Sequence, residues 1–471
     1  MDATAPAVVA AVPDQNTDSG AGRFTSPSPA RPASPRPAVT ASVPVMNADS
    51  HRDLLPLFPE HTSVSPDGEL AIGGVGVRDL AERFGTPAYI VDEAGLRNQA
   101  GRFKDGLAAR HPDSEVVFAS KSLPCLAVYK LFAAAGLSID VAGAGELVMA
   151  LAAGASPQRM YLHGNAKTTA ELTMALDAGV ATVVVDNFDD IDRLEQLATR
   201  PQRVLIRIIP GVAPETHESQ STGGADSKFG LPLDQAREAI ARIRASDKLQ
   251  LDGLHLHIGS QILDTEPFAR AVEAVSVLGE FPVYDVGGGL GVRYTLKDEA
   301  PTVEQYLDTI AAAARSYLPA GAKLVIEPGR ELVASSCVTL YRVTTVKHTG
   351  RTFVAVDGGM ADNLDAALTG QGFEAAIATR MTAGPDETVQ LVGRQCESGD
   401  LLVGGLPLPA PRVGDLIAMP VTGAYTYTFA NNYNGALKPP IVFVRDGQAR
   451  LAAERETHEH VLALHRPALT W

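Results

Sequence analysis

The chain has 471 residues, too many for one ordinary hydrophobic core, so two domains plus a tail are expected. Forty basic against 55 acidic residues leave a net charge of −15, which favours solubility and disfavours a nucleic acid or an anionic membrane surface as a partner. No apolar run reaches membrane-span length, Met1-Asp2 lacks the basic start of a secretory signal, and Cys125, Cys337 and Cys396 are too scattered for a disulfide scaffold or zinc motif, so a cytoplasmic protein is expected.

Residues 1–50 are rich in Ala, Pro, Ser and Thr, as in Ser26-Pro27-Ser28-Pro29 and Pro32-Ala33-Ser34-Pro35. Such a stretch buries too little apolar surface to offset its ordering entropy. It reads as a disordered tail, with Met46 an alternative start. Residues 51–80 read as an ordered lead-in whose Arg52–Gly74 segment adds a strand to a later β domain.

Strand patterns follow at Val116–Lys121, Ser138–Gly143, Met160–Gly164, Ala181–Asp186, Arg203–Ile209, Gly253–Gly259, Val283–Gly288 and Lys323–Glu327. Helical patterns separate them, among them Leu126–Ala135, Glu146–Ala153, Ala170–Ala178 and Leu233–Ala245. The third opens on a capping box, Thr168 with Glu171. The first five strands recur about every 22 residues, the length of a compact βα unit. Strands buried on both faces and alternating with helices describe an α/β fold. A (β/α)8 barrel over residues 81–340 fits better than an open doubly wound sheet, which shows the same alternation. After Tyr341 the runs shorten (Phe353–Asp357, Val389–Val392, Leu416–Pro420) and turns rich in Gly, Pro and Asp separate them. Residues 341–471 therefore read as a C-terminal antiparallel β domain.

The barrel strands end at or near Lys121, Asp140, His163, Asp186, Arg207, His257, Gly287-Gly288-Gly289 and Glu327. In a barrel these positions converge on the C-terminal face, where active sites are built. Glycines at 287–289 would let backbone N–H groups approach an anion, although such runs also serve as tight turns. Glu327-Pro328-Gly329-Arg330 ends the neighbouring strand, and the two segments together suggest a phosphorylated ligand. His255 and His257 share one strand face, yet no third metal ligand at suitable spacing is evident, so no metal is expected. His257 suits stacking on a planar ligand, with Ser260 close to a phosphate, while a hydrogen-bonded core role for His255 stays open. Lys121 is either a salt-bridged structural lysine or an amine made nucleophilic by burial in the barrel mouth.

Across roughly residues 80–445 the chain resembles the diaminopimelate decarboxylases, in the alanine-racemase-like group of pyridoxal-phosphate enzymes. The resemblance rests on ordered segments: Phe118-Ala119-Ser120-Lys121, Gly143-Ala144-Gly145-Glu146, His163-Gly164-Asn165-Ala166-Lys167 and Ser227-Lys228-Phe229-Gly230. His257-Ile258-Gly259-Ser260-Gln261, Gly287–Gly289, Glu327–Arg330, Cys396-Glu397-Ser398-Gly399-Asp400, Gly423-Ala424-Tyr425 and Asn432-Tyr433-Asn434 follow in order. The resemblance implies pyridoxal 5'-phosphate held by Lys121 as a Schiff base and stacked against His257. Ser260, Gly287, Gly288, Gly289, Gly329, Arg330 and Tyr425 would surround its phosphate. Glu327 would face the ring nitrogen and keep it protonated, as befits a decarboxylase rather than a racemase. Cys396, from the partner subunit of a homodimer, would return a proton to the carbon that loses CO2. The family default is meso-diaminopimelate to L-lysine, in lysine biosynthesis.

One segment departs from the family pattern. The family carries an Arg and, four residues on, a Tyr that grip the distal carboxylate; here Asp365 and Thr369 stand there. Arg330 and Glu397, at the same end, are retained. Either diaminopimelate remains the substrate with compensation nearby, or the protein is a paralogous decarboxylase of another diamino acid or a modified amino acid in secondary metabolism.

Overall fold

The computed structural model describes residues 50–213, 223–224 and 227–466. Apart from Ser50, the segment expected to form a disordered tail lies outside the described residues, Met46 included.

Eight strands form the expected alternation: β1 (Ser114–Ala119), β2 (Ser138–Val141), β3 (Met160–Leu162), β4 (Thr182–Val185), β5 (Gln202–Ile208), β6 (Leu249–Leu256), β7 (Val283–Asp285) and β8 (Lys323–Ile326). Each pairs in parallel with the next, and β8 pairs with β1 to close a barrel. Helices span the connections, including Leu126–Ala134, Ala144–Ala152, Thr169–Ala178 and Leu233–Ala245. Thr168 and Glu171 make the expected capping box. Strands with a helix outside and side chains inside are apolar on both faces, which is why they read as continuous runs.

Side chains alternate along each strand, and the alternation builds the barrel interior. Val117, Tyr161, Val184, Leu205, Val283 and Val325 pack together as a separate core inside the barrel. The intervening residues, Phe118 and Val116 among them, pack outward against the helices in the main core. Register then fixes heights: His255 sits opposite Arg207 on β5 and Asp285 on β7, and Asp140 opposite Ala119 on β1.

A nine-stranded sheet forms most of the rest, its short strand Ala376–Ile377 pairing with Leu416–Pro420. Its long central strand, β9 (Cys337–His348), pairs antiparallel with β10 (Thr352–Val356) through its second half. β10 runs parallel to β11 (Glu387–Val392), which pairs antiparallel with β12 (Leu401–Leu408). The first half of β9 lies between β13 (Leu416–Pro420) and the strand Ala88–Asp92, beyond which come β14 (Ile441–Arg445) and β15 (Gln448–Ala453). Two pairings are parallel, β10 with β11 and Ala88–Asp92 with β14, so the sheet is mixed and not purely antiparallel.

The lead-in behaves differently from its sequence pattern. The strands within Arg52–Gly74 (Thr62–Val64 and Leu70–Ile72) pair with each other and with Val75–Gly76 as a sheet of their own. The N-terminal strand that does enter the large sheet is Ala88–Asp92, inside the stretch assigned by sequence to the barrel. Its five residues are all buried, so it lacks the period-two signal of a half-exposed strand. The barrel also gives way to the sheet at Cys337, four residues before the change in character at Tyr341.

Gly253 sits where β6 shifts register against β5, and a Cβ there would lie 1.8 Å from the Val283 carbonyl oxygen of β7. Gly253→Ala is expected to destabilise the fold by about 2 kcal/mol or more, read as a lower denaturant midpoint, because two barrel strands would have to part.

Candidate active site

The polar layer of the barrel mouth follows from the apolar layer beneath it. Two residues beyond the interior positions Val117, Tyr161, Leu205, Val283 and Val325 come Ala119, His163, Arg207, Asp285 and Glu327. A step of two keeps a side chain on the same strand face, so these residues look into the same space one level up. A cleft opens there, lined by Lys121, Asp140, His163, Arg207, Phe229, His255, His257, Ser260, Gly289, Glu327, Gly329, Arg330 and Tyr425 with Ala119, Ala142 and Gly164.

Glu327 is its electrostatic centre. His255 Nε2 hydrogen-bonds Glu327 Oε2 at 3.1 Å, and His163 Nε2 lies 2.8 Å from Oε1. The His163 ring is not aligned to donate along that line, and Oε1 makes no hydrogen bond among the described residues. Burial alone would raise the Glu327 carboxyl, but the charge of His163, whose own basicity is raised, and the hydrogen bond of His255 overcome it and hold the group well below the usual carboxylate range. Asp285, fully buried below, goes the other way: burial and then the negative charge of Glu327 push it well up. It accepts the Gly287 N–H at 2.9 Å. Burial raises Asp140 to about 6 despite the nearby His163, and lowers His255 to about 4. Glu327 is therefore the carboxylate of the site that is held ionised most strongly.

His257 Nδ1 accepts the Gly288 N–H at 3.3 Å, which leaves Nε2 to carry the proton of a neutral ring. Burial, then the charges of Lys121 and Arg207, hold its basicity well below normal. Arg330 donates to Ser260 Oγ from Nε at 3.3 Å and Nη2 at 3.1 Å, and from Nη1 to the Tyr294 hydroxyl. Its guanidinium carbon lies 4.7 Å from the Tyr425 ring centre.

Several residues stand elsewhere than the sequence suggests. Lys121 is exposed at the lip of the cleft, because β1 ends at Ala119 and Ser120–Ser122 form a short 3-10 turn, so the expectation of a buried amine fails. Of the three glycines only Gly289 lines the cleft. Gly287 and Gly288 are glycine for close packing: a Cβ at Gly288 would lie 2.0 Å from the Glu327 carbonyl oxygen, and one at Gly287 would meet that of Leu256 at 2.3 Å. Asp186 stays out of the cleft, beside Arg207, Lys167 and the Gly230 backbone. His255 does gain further candidate ligands, His163 and Glu327, whose donor atoms lie within 4.8 Å of its own. Spacing within one strand could not show this, since the three come from β3, β6 and the end of β8. Their contacts make an ion-paired carboxylate cluster.

Cys396 and Glu397 lie exposed on the large sheet's side, outside the cleft of their own chain; the Cys396 N–H donates to Asn434 Oδ1 at 2.7 Å. Asp365 and Thr369 lie at the ends of a short helix, Leu364–Leu368, and its C-cap, with the Thr369 hydroxyl 3.1 Å from Asp365 Oδ1. Neither lines the cleft. Asp365 is buried, its Oδ2 3.9 Å from Arg330 Nη1. Sequence reasoning also missed Tyr294, in a loop, and Thr428, in the four-residue helix Thr426–Phe429, neither of which carries a periodic signal. Thr428 donates from its hydroxyl to the Lys121 carbonyl at 2.8 Å, and the Tyr425 N–H to the Ser122 carbonyl at 2.8 Å, so a segment beyond β13 clamps the Lys121 turn.

Residues 94–334 match the family described as pyridoxal-dependent decarboxylase, pyridoxal binding domain. A diaminopimelate decarboxylase of Actinosynnema pretiosum subsp. auranticum is 45% identical over 411 residues, 84% of this chain and 92% of that protein. The chain belongs to the diaminopimelate decarboxylase family. The Bacillus subtilis (strain 168) diaminopimelate decarboxylase is 42% identical, over 86% of this chain and 96% of its own length. Among solved structures, the Helicobacter pylori diaminopimelate decarboxylase complexed with L-lysine superposes with a TM-score of 0.78 at 29% identity, covering 83% of this chain and all of that one. The diaminopimelate decarboxylase of M. jannaschii, in co-complex with L-lysine, gives 0.79 at 29% identity, covering 86% of this chain and 97% of that one.

As a pyridoxal-dependent decarboxylase the enzyme takes pyridoxal 5'-phosphate, and the cleft fits it. Glu327 Oε1 is a buried, ionised acceptor without a hydrogen bond among the described residues, as a protonated ring nitrogen requires. Ser260, Gly289, Gly329, Arg330 and Tyr425 line the side of the cleft formed after β6, β7 and β8 and from the large sheet, which suits a phosphate. Glu327→Gln keeps the shape and removes the charge. It is expected to retain cofactor absorbance while lowering kcat by about a hundredfold, since the lost charge acts on the reacting state.

Proposed function

We propose that this protein decarboxylates meso-diaminopimelate to L-lysine and CO2, with a homodimer completing each site. The observation that carries the reading is the ionised Glu327, buried between His163 and His255 with an acceptor oxygen left over. An enzyme needing a weakly polarised ring would not hold a full negative charge there. The 38% to 45% identity to diaminopimelate decarboxylases over most of the chain supports the substrate.

The cofactor, when bound, takes up the electron pair left behind as the bond to CO2 breaks. The chain's own residues do the rest. Lys121 at the lip holds the cofactor covalently and is kept in place by Thr428 and the Tyr425 backbone. Glu327 holds the proton on the ring nitrogen, and His163 and His255 hold Glu327 ionised. His257, neutral and fixed by the Gly288 N–H, presents its ring face without adding charge. Arg330, Ser260 and Tyr425 bind the phosphate and the outer part of the substrate. Cys396 returns a proton to the carbon that lost CO2, beside Glu397, and both come from the other subunit. Their exposure outside their own cleft supports that arrangement. The three cysteines are free thiols, which supports a cytoplasmic setting. No described helix is long and apolar enough to cross a membrane.

Lys121→Ala is expected to abolish the covalent cofactor absorbance and CO2 release; full turnover in that variant would remove the basis of the assignment. Cys396→Ala is expected to keep cofactor binding and lose most turnover. Mixing the two variants tests the shared site: one site of each mixed dimer is intact, so activity should return on mixing. Two inactive proteins that stay inactive after subunit exchange would exclude it.

A further inference from the structure

Diaminopimelate carries a second carboxylate at its far end, and a site selective for it needs an uncommitted cation there. Three cationic side chains line the cleft among the described residues: Lys121, Arg207 and Arg330. Lys121 is assigned to the cofactor. Arg207 lies over the Phe229 ring at 4.5 Å and interacts with the Asp186 carboxylate. Arg330 is the remaining candidate, and its donors are largely committed. Its Nε and Nη2 edge, the edge that grips a carboxylate with two parallel bonds, is turned to Ser260 Oγ. Its Nη1 donates to Tyr294 and faces Asp365 at 3.9 Å.

Asp365 makes that commitment electrostatic as well as geometric. Its carboxylate is buried beside an equally buried guanidinium, where solvent screens neither charge well. Oδ1 is held by the Thr369 hydroxyl and Oδ2 makes no hydrogen bond, so the aspartate is anchored on one oxygen and turned to Arg330 with the other. The pair sums to zero charge. A second substrate carboxylate gains little there and is repelled by Asp365, while a far end bearing only an amine meets no uncompensated cation.

We propose that Asp365, acting through Arg330, gives this site a second activity: decarboxylation of diamino acids that lack the distal carboxylate. The inference rests on the decarboxylase reading above. The bond between the α-carbon and its carboxylate breaks, CO2 leaves, the electron pair stays at the α-carbon and one proton takes the vacated position. The product is a diamine, with no oxidant or reductant consumed.

The holoenzyme is assayed for CO2 and amine product with meso-diaminopimelate, lysine and ornithine, the last two in both enantiomers. At least one monocarboxylic substrate is expected to reach a kcat/KM within about tenfold of that for meso-diaminopimelate. Asp365→Asn, which keeps size and Thr369 contact, is expected to lower KM for meso-diaminopimelate about tenfold with kcat unchanged and to raise KM for the monocarboxylic substrate, whose terminal amine would then face an uncompensated guanidinium. Asp365→Arg with Thr369→Tyr should sharpen the same preference. A wild-type preference for meso-diaminopimelate above about a thousandfold, or an Asp365→Asn variant with both KM values unchanged, overturns the inference and leaves the decarboxylase reading standing. No CO2 from any of the substrates overturns that reading and this inference with it.

Discussion

A single buried carboxylate sets the terms for this barrel mouth. Glu327 stays ionised although buried because two imidazoles from other strands lie against it, while burial pushes Asp285 and Asp140 toward the protonated form. An unpaired charge at that depth would cost several kcal/mol, and the group would shed it by protonating. The arrangement works only if β3, β6 and β8 deliver His163, His255 and Glu327 at one height. The parallel register and the barrel's closure do that. Gly253, Gly287 and Gly288 let the strands and the turn approach closely enough for the register to hold.

The scaffold explains why the chemistry collects where it does. Below the mouth the interior is filled by Val117, Tyr161, Leu205 and their neighbours, a dry plug against which charged groups can be set with little reorganisation. Above it the large sheet contributes the Tyr425–Thr428 segment, which bonds the backbone of Lys121 and Ser122 directly. Lys121 is thereby held from both the barrel and the sheet.

Much of this was legible in the sequence, for physical reasons that can be named. Strands buried on both faces give apolar runs without alternation, and eight of them at βα spacing leave few other architectures. Polar residues at the strand ends mark the mouth, which brought Asp140, His163, Arg207 and Glu327 into view together. Contacts between elements were not legible. Nothing at His163 or Glu327 announces the other, 164 residues away by number, so the three-residue cluster was missed and the histidine pair seemed to want a third partner. Close packing at Gly287 and Gly288 was likewise illegible, because sequence cannot separate a backbone that approaches a ligand from one that approaches another strand. Ala88–Asp92 escaped for the reason the barrel strands succeeded: it is apolar throughout, but stands alone before a helix.

The account stands most directly on where the electron pair and proton go. Purified holoenzyme should be run with meso-diaminopimelate in D2O, with CO2 counted and the amino-acid product read by NMR and mass spectrometry. One L-lysine per CO2 is expected, carrying a single deuterium on the carbon that lost its carboxylate. Deuterium exchanged into recovered diaminopimelate with no CO2 released would contradict it, because the site would then move protons without breaking the carbon–carboxylate bond.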